Sequence, residues 1–188
     1  MEITNKNPKI IMLAGKARAG KDTTAGFIKE YGEKNNLKVI NLQFSFYIKY
    51  YAKLISSWDG SEETKPRTLL QQLGTDIIRD NIDNYYFIKR IVDDIKVLSY
   101  FADIITISDA RLPEELDTIN STYPNVIKIN IVRPEFDNSL NQTESVHRTE
   151  TALDNYDKYN YEIINEGTLE ELKSNIFNLL DHDYRKKE

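Results

Sequence analysis

The chain is 188 residues long, with 40% hydrophobic and 29% charged residues and a formal net charge of −5, a balance that fits one folded globular domain and excludes a disordered or membrane-spanning class. The absence of cysteine rules out disulfides, thiolate zinc sites and a cysteine nucleophile, and two histidines, His147 and His182, are too few for a histidine-rich metal centre. The acidic balance argues against a surface that coats nucleic acid, no apolar run reaches bilayer length, and the N-terminus lacks a signal-peptide core, so the expectation is a cytoplasmic protein with neither nucleic acid nor membrane as partner.

Along the chain, apolar β-branched runs at Ile10 to Leu13, Val39 to Leu42, Ile104 to Ile107, Val126 to Val132 and Tyr161 to Ile164 read as strands. Between them, apolar positions spaced three and four apart predict helices at Thr23 to Lys34, Phe46 to Ser57, Arg67 to Arg79, Tyr85 to Phe101, Pro113 to Thr122 and Leu169 to Leu180. Strands alternating with helices predict an α/β fold with a five-stranded parallel sheet covered on both faces. The polar stretch Pro134 to Ser145, flanked by Arg133 and Arg148, reads as part of a lid over residues 133–148, and residues 183–188 read as a frayed tail.

Such sheets bind ligands beyond the carboxyl ends of their strands. After the first strand comes Gly15-Lys16-Ala17-Arg18-Ala19-Gly20-Lys21-Asp22-Thr23, in which two glycines bracket four residues and a lysine follows. That spacing lets successive N–H groups turn toward one anion while Lys21 reaches outer phosphates and the next helix adds its positive end. Arg18 can neutralise charge on a transferring phosphoryl group. Asp22 stands where such loops carry a magnesium-binding hydroxyl; a carboxylate ~4 Å from a phosphate charge costs about 4 kcal/mol at an effective dielectric near 20, so it needs a metal, a cation or a hydroxyl beside it. Thr23 offers a hydroxyl and Asp109, after the third strand, a carboxylate for magnesium; capping of the helix begun near Pro113 is the other reading of Asp109. Arg111 suits a phosphoryl oxygen or a neighbouring carboxylate. Gln72, Thr75 and Arg79 remain for a second substrate, and Phe44, Phe46, Tyr47 and Trp58 lie where a base could stack.

Four stretches together resemble the bacteriophage-type deoxynucleoside monophosphate kinases, a branch of the phosphate-loop (P-loop) kinases. They are the loop Gly15 to Thr23, Leu70 to Asp76 with Arg79, Ser108 to Glu115, and His147 to Leu153. Animal-type phosphomevalonate kinases share the lysine-aspartate loop, the Leu-Gln…Gly-Thr stretch and a late acidic segment; Arg111-Leu112-Pro113-Glu114 is more similar to the nucleotide branch. The resemblance implies a three-layer, adenylate-kinase-like P-loop kinase fold with a mobile lid, spanning 1–188 as one domain, and transfer of the ATP γ-phosphoryl group to a deoxynucleotide 5′-phosphate with Mg2+. A homodimer is among its implications, as is a host-cytoplasmic location if the gene is phage-borne. On this reading the catalytic set is Lys21, Arg18, Asp22 and Arg111. ATP lies on Gly15, Lys16, Ala17, Arg18, Ala19, Gly20, Lys21, Asp22, Thr23 and Arg133. The acceptor nucleotide meets Lys49, Gln72, Thr75, Arg79, Asp109, Arg111, Arg148 and Glu150, and Thr23 with Asp109 organises the metal. A regulatory module that binds ATP without transferring phosphate, and an ATP hydrolase acting on a partner, are the readings from other classes.

Overall fold

The computed structural model describes residues 3–134 and 148–185. Five strands, β1 (Lys9–Ala14), β2 (Val39–Leu42), β3 (Ile104–Ile107), β4 (Val126–Val132) and β5 (Tyr161–Ile164), form one sheet in the order β2-β3-β1-β4-β5. All four pairings are parallel, with Ile11 opposite Thr106 on one side and Ile127 on the other. A parallel sheet needs crossovers that cover its faces, and this one is apolar on both.

Alternation along β1 shows how the layers form. Ile10, Met12 and Ala14 join a core with Phe87, Ile91 and Ile95 of α4 (Tyr86–Leu98) and Leu116 and Ile119 of α5 (Pro113–Thr122). Ile11 and Leu13 point the other way, to Ile28 of α1 (Lys21–Lys34) and to Leu172, Ile176 and Leu180 of the last helix, α7 (Leu169–Arg185). A period of two on the strand thus meets periods near 3.6 on the helices, giving three layers.

The strand bounds follow the apolar pattern closely, while two helical expectations change. The segment expected as one helix from Arg67 to Arg79 begins as α3 (Arg67–Gln71) and continues as a wider π-helix (Gln72–Ile82); the Asp83 N–H closes it onto the Ile78 carbonyl at 2.8 Å, five residues back. The expected tail at 183–188 is helical as far as Arg185. Its anchor is Lys9, 3% exposed at the start of β1, whose ammonium pairs with Asp183 and lies 4.0 Å from the centre of the Tyr184 ring. Burying that charge without a partner would cost several kcal/mol, so the end of the chain is held down. Residues 186–188 and most of the expected lid, 135–147, lie outside the described residues.

Candidate functional site

The carboxyl ends of the strands open into one cavity of about 770 Å³. Phe44 and Ser45, Asp109 and Arg111, Arg133, and Asn165 with Gly167 all line it, each just beyond a different strand. Ala110, between two of them, is buried in the core instead.

The loop between β1 and α1 takes a shape that only its glycines permit. Gly15 has φ +138°, and a Cβ there would lie 2.3 Å from the Ile131 carbonyl oxygen of β4; Gly20, at φ +107°, would drive one to 2.6 Å from the Asn165 amide nitrogen. Arg18 also holds a positive φ, +58°, in the middle of the turn. Asn165, beyond β5, donates to the Ala19 carbonyl at 2.8 Å and so ties the loop to the far side of the sheet. Lys21 donates to the Gly15 and Lys16 carbonyls, both at 2.7 Å, which closes the loop and uses two of its three ammonium donors. Burial, with the Arg111 guanidinium near it, pulls its pKa down to about 8.

Ala17, Arg18, Gly20, Lys21, Asp22 and Thr23 line the cavity, whereas Gly15, Lys16 and Ala19 form the loop behind it. The Lys16 side chain turns aside to pair with Asp154 and to donate to the Glu150 carbonyl at 3.1 Å. Glu150, expected beside the acceptor, meets the loop: the Ala17 N–H donates to its Oε2 at 3.1 Å, and its Oε1 pairs with Arg111. Its short helix, α6 (Arg148–Thr151), thereby joins loop and β3 end through one carboxylate.

Asp109 does not cap the helix at Pro113. Its two oxygens accept the Phe44 N–H at 2.8 Å and the Ser45 N–H at 2.9 Å, capping α2 (Ser45–Ile55) across the sheet edge. Each oxygen keeps a lone pair, and Asp109, Asp22 and Thr23 share the cavity wall. Asp22 is exposed, with its Oδ1 accepting from Gln43 at 3.3 Å. That donor set, two carboxylates and a hydroxyl beside a phosphate loop, fits Mg2+, which takes one or two carboxylates and completes its octahedron with phosphate oxygens and water.

At the other end stand α2, α3 and the π-helix. Thr75 and Lys49 line the cavity. Arg79 also lines it, but as a buried residue: Nη1 donates to the Gly74 carbonyl at 2.9 Å and Nη2 to Glu115 at 3.0 Å. Two sequence expectations are corrected. Gln72 is exposed and outside the cavity, and its neighbour Gln71 lines it, since one helical step turns a side chain through about 100°. Arg148 pairs with Glu114 at 2.5 Å and does not line the cavity. Of the four aromatics considered for stacking, Phe44 alone borders it; Phe46 faces solvent, the Tyr47 hydroxyl bonds Asp94 at 2.7 Å, and Trp58 packs within its own loop, its Nε1 donating to the Ser61 carbonyl at 2.9 Å.

Sequence reasoning missed Gln43, Glu62, Lys65, Arg67 and Gln71 on this wall and left Glu115 without a role. Lys65 and Arg67 share Glu62, at 3.0 and 3.7 Å. Their alternating charges after the Asp59-Gly60 turn carry no motif; the burial of Glu115 was signalled only by its place three residues after Leu112, where it closes a cap on α5.

A phosphate loop at the end of β1 in a β2-β3-β1-β4-β5 parallel sheet defines a P-loop kinase fold. The APS kinase of Mycobacterium tuberculosis, solved with AMPPNP and APS, shares that fold at TM-score 0.55 and 12% identity over 93% of this chain and 98% of that one. The thymidylate kinase of Ehrlichia chaffeensis does so at 0.51 and 14%, over 92% and 98%. The family model described as deoxynucleotide monophosphate kinase matches residues 39–176, and the chain belongs to that family. It is 34% identical to the deoxynucleotide monophosphate kinase of Enterobacteria phage T4 over 61% of its own length, a match spanning 44% of the phage protein. With the "Putative deoxynucleotide monophosphate kinase" of Acanthamoeba polyphaga mimivirus it shares 27% identity over 92% of this chain and 96% of that one. Among the described residues, no helix is long and apolar enough to cross a membrane.

Proposed function

We propose that this chain transfers the γ-phosphoryl group of ATP to the 5′-phosphate of a deoxynucleoside monophosphate in the host cytoplasm. The observation that carries the reading is a single cavity with cations at both ends: Lys21 and Arg18 on the loop, Arg111 between, and Lys49, Lys65, Arg67 and Arg79 beyond. A module that only binds ATP has no use for the second set.

In the reaction, an oxygen of the acceptor phosphate attacks the γ-phosphorus as the bond to the β,γ-bridging oxygen breaks, and ADP carries away the electron pair. The acceptor oxygen is already anionic near neutral pH, so the protein supplies positioning and charge rather than a base. Loop N–H groups and Lys21 hold the β- and γ-phosphates, and Arg18 and Arg111 meet the charge on the moving group. Arg111, Arg79 and Lys49 hold the acceptor phosphate, with Thr75 and Gln71 on the same wall. Asp109, Asp22 and Thr23 would hold Mg2+, which supplies charge neutralisation at the phosphate oxygens. Arg133 closes the donor side next to Asn165 and Gly167.

Coupled ADP release with ATP and a panel of deoxynucleoside monophosphates, their ribo forms and phosphomevalonate tests the assignment. Acceptor-dependent ADP formation with the deoxynucleotides is expected. ADP release indifferent to any acceptor would instead indicate a hydrolase, and tight ATP binding with no turnover a regulatory module.

A further inference from the structure

We propose that Glu115 is a positioning residue that holds the two acceptor-side arginines, Arg79 and Arg111, in one fixed relation across the cavity. The inference rests on the acceptor-phosphate role assigned to those arginines above.

Glu115 sits in the first turn of α5 and is 2% exposed. Its Oε1 accepts Arg79 Nη2 at 3.0 Å, and its Oε2 accepts the backbone N–H groups of Arg111 at 2.8 Å and Leu112 at 3.1 Å. One carboxylate therefore joins the guanidinium of a residue on the π-helix to the backbone from which Arg111 projects. Two of the five N–H donors of Arg79 are spent on Glu115 and Gly74, which fixes the plane of the fork and leaves the rest for a ligand.

Helix capping alone does not account for this arrangement, and the same molecule supplies the control. Glu171 does the equivalent work at the start of α7, accepting the Thr168 N–H at 2.6 Å, yet it is exposed and meets no cation. A cap thus needs neither burial nor an arginine. A buried ion pair is also a poor stabiliser, because desolvation consumes much of its Coulombic gain. What the pair does provide is geometry, since a displacement of about 1 Å at a phosphoryl-transfer site costs on the order of 10²-fold in rate. Glu115 itself is not needed as a base, because the acceptor oxygen brings its own negative charge.

The test is steady-state kinetics of Glu115→Gln and Glu115→Asp with each substrate varied in turn, beside Glu171→Gln. Glu115→Gln keeps the side-chain volume but removes the charge that orients Arg79; Glu115→Asp keeps the charge and draws the carboxylate back. For both, the acceptor KM is expected to rise about tenfold or more while the ATP KM stays within about twofold. Glu171→Gln should move neither constant. Parallel rises in both KM values, or an unmoved acceptor KM in either folded variant, overturn the inference and return Glu115 to a cap. A wild-type chain without acceptor-dependent ADP release refutes the kinase reading and takes this inference with it, whereas an active wild type with unmoved acceptor KM in the variants refutes the inference alone.

Discussion

On the proposed assignment, the two ends of the cavity would hold phosphate by different means. At the donor end the groups on offer are loop N–H groups, Lys21 and Arg18, shaped by Gly15 and Gly20 within nine consecutive residues. At the acceptor end they are side chains from α2, α3, the π-helix and the β3 end, kept in place by buried or shared carboxylates such as Glu115 and Glu62. Backbone donors cost little to preorganise and do not discriminate one nucleotide from another. Side-chain forks must be held by other side chains, and they can be re-spaced by single substitutions. The donor end should therefore fail all at once, and the acceptor end by degrees.

The sharpest break of the donor end is Lys21→Ala. With the charge at the β- and γ-phosphates gone, kcat/KM should fall about 10³-fold or more, the scale at which one preorganised charge acts in a dry site. The fold should survive, because the lysine is a buried cation whose burial has already pulled its pKa to about 8. Thermal melting alongside the kinetics separates the two effects, and near-normal turnover in a folded Lys21→Ala protein would sink the donor assignment.

Arg111→Ala breaks the acceptor end more gently. Losing one charge-assisted fork costs about 1.5–3 kcal/mol, so the acceptor KM should rise roughly tenfold to a hundredfold and exceed any change in the ATP KM. The partners of Arg111 extend the point: Glu150 links it to the Ala17 N–H of the loop, so a smaller rise in the ATP KM is expected too. A change confined to ATP would reverse its placement.

The pH dependence sharpens the same contrast. Lys21 is protonated below about 8 and neutral above. Its folded pKa lies below its unfolded value, so its ionisation weakens the fold at low pH, and that penalty is relieved as pH rises from about 8 towards the ordinary lysine value of 10.5. Function runs the opposite way. The kcat/KM for ATP, which reports the free protein, should decline above pH 8, while kcat should hold to higher pH because bound phosphates restore the charge. A flat kcat/KM from pH 7 to 10 would remove Lys21 from phosphate binding.

How much of this was legible in the sequence follows the same division. The loop could be read because its shape is local: the spacing of Gly15, Gly20 and Lys21 is itself the geometry. The five strands could be read because the sheet is covered on both faces, so apolar residues dominate each run even where Asn41, Thr106, Lys128, Asn130 or Glu162 interrupts it. At the acceptor end, Arg79 and Glu115 are 36 residues apart and meet only where the π-helix reaches the first turn of α5, which no periodicity encodes. Asp109 reads as a site candidate from its place after the third strand, but its partners, the N–H groups of Phe44 and Ser45, come from a neighbouring strand's loop 65 and 64 residues away. The docking of Tyr184 and Asp183 on Lys9 escaped for a related reason, because a charged chain end reads as solvated until a buried lysine is found to need it.

The smallest effect tests the helix register on the acceptor wall. Gln71 and Gln72 are adjacent and chemically identical, so sequence alone cannot choose between them. The structure puts Gln71 on the cavity wall at the end of α3 and Gln72 in solvent at the start of the π-helix. A neutral hydrogen bond is worth about 0.5–1.5 kcal/mol, so Gln71→Ala should raise the acceptor KM roughly twofold to tenfold. Gln72→Ala should leave both KM values unchanged and alter stability by no more than about 0.5 kcal/mol, as expected of an exposed surface position. If Gln72→Ala raised the acceptor KM and Gln71→Ala did not, the register at the junction of α3 and the π-helix would be wrong by one residue. Thr75 and Arg79 would then have to turn with it, and the contact between Arg79 and Glu115 could not form as described.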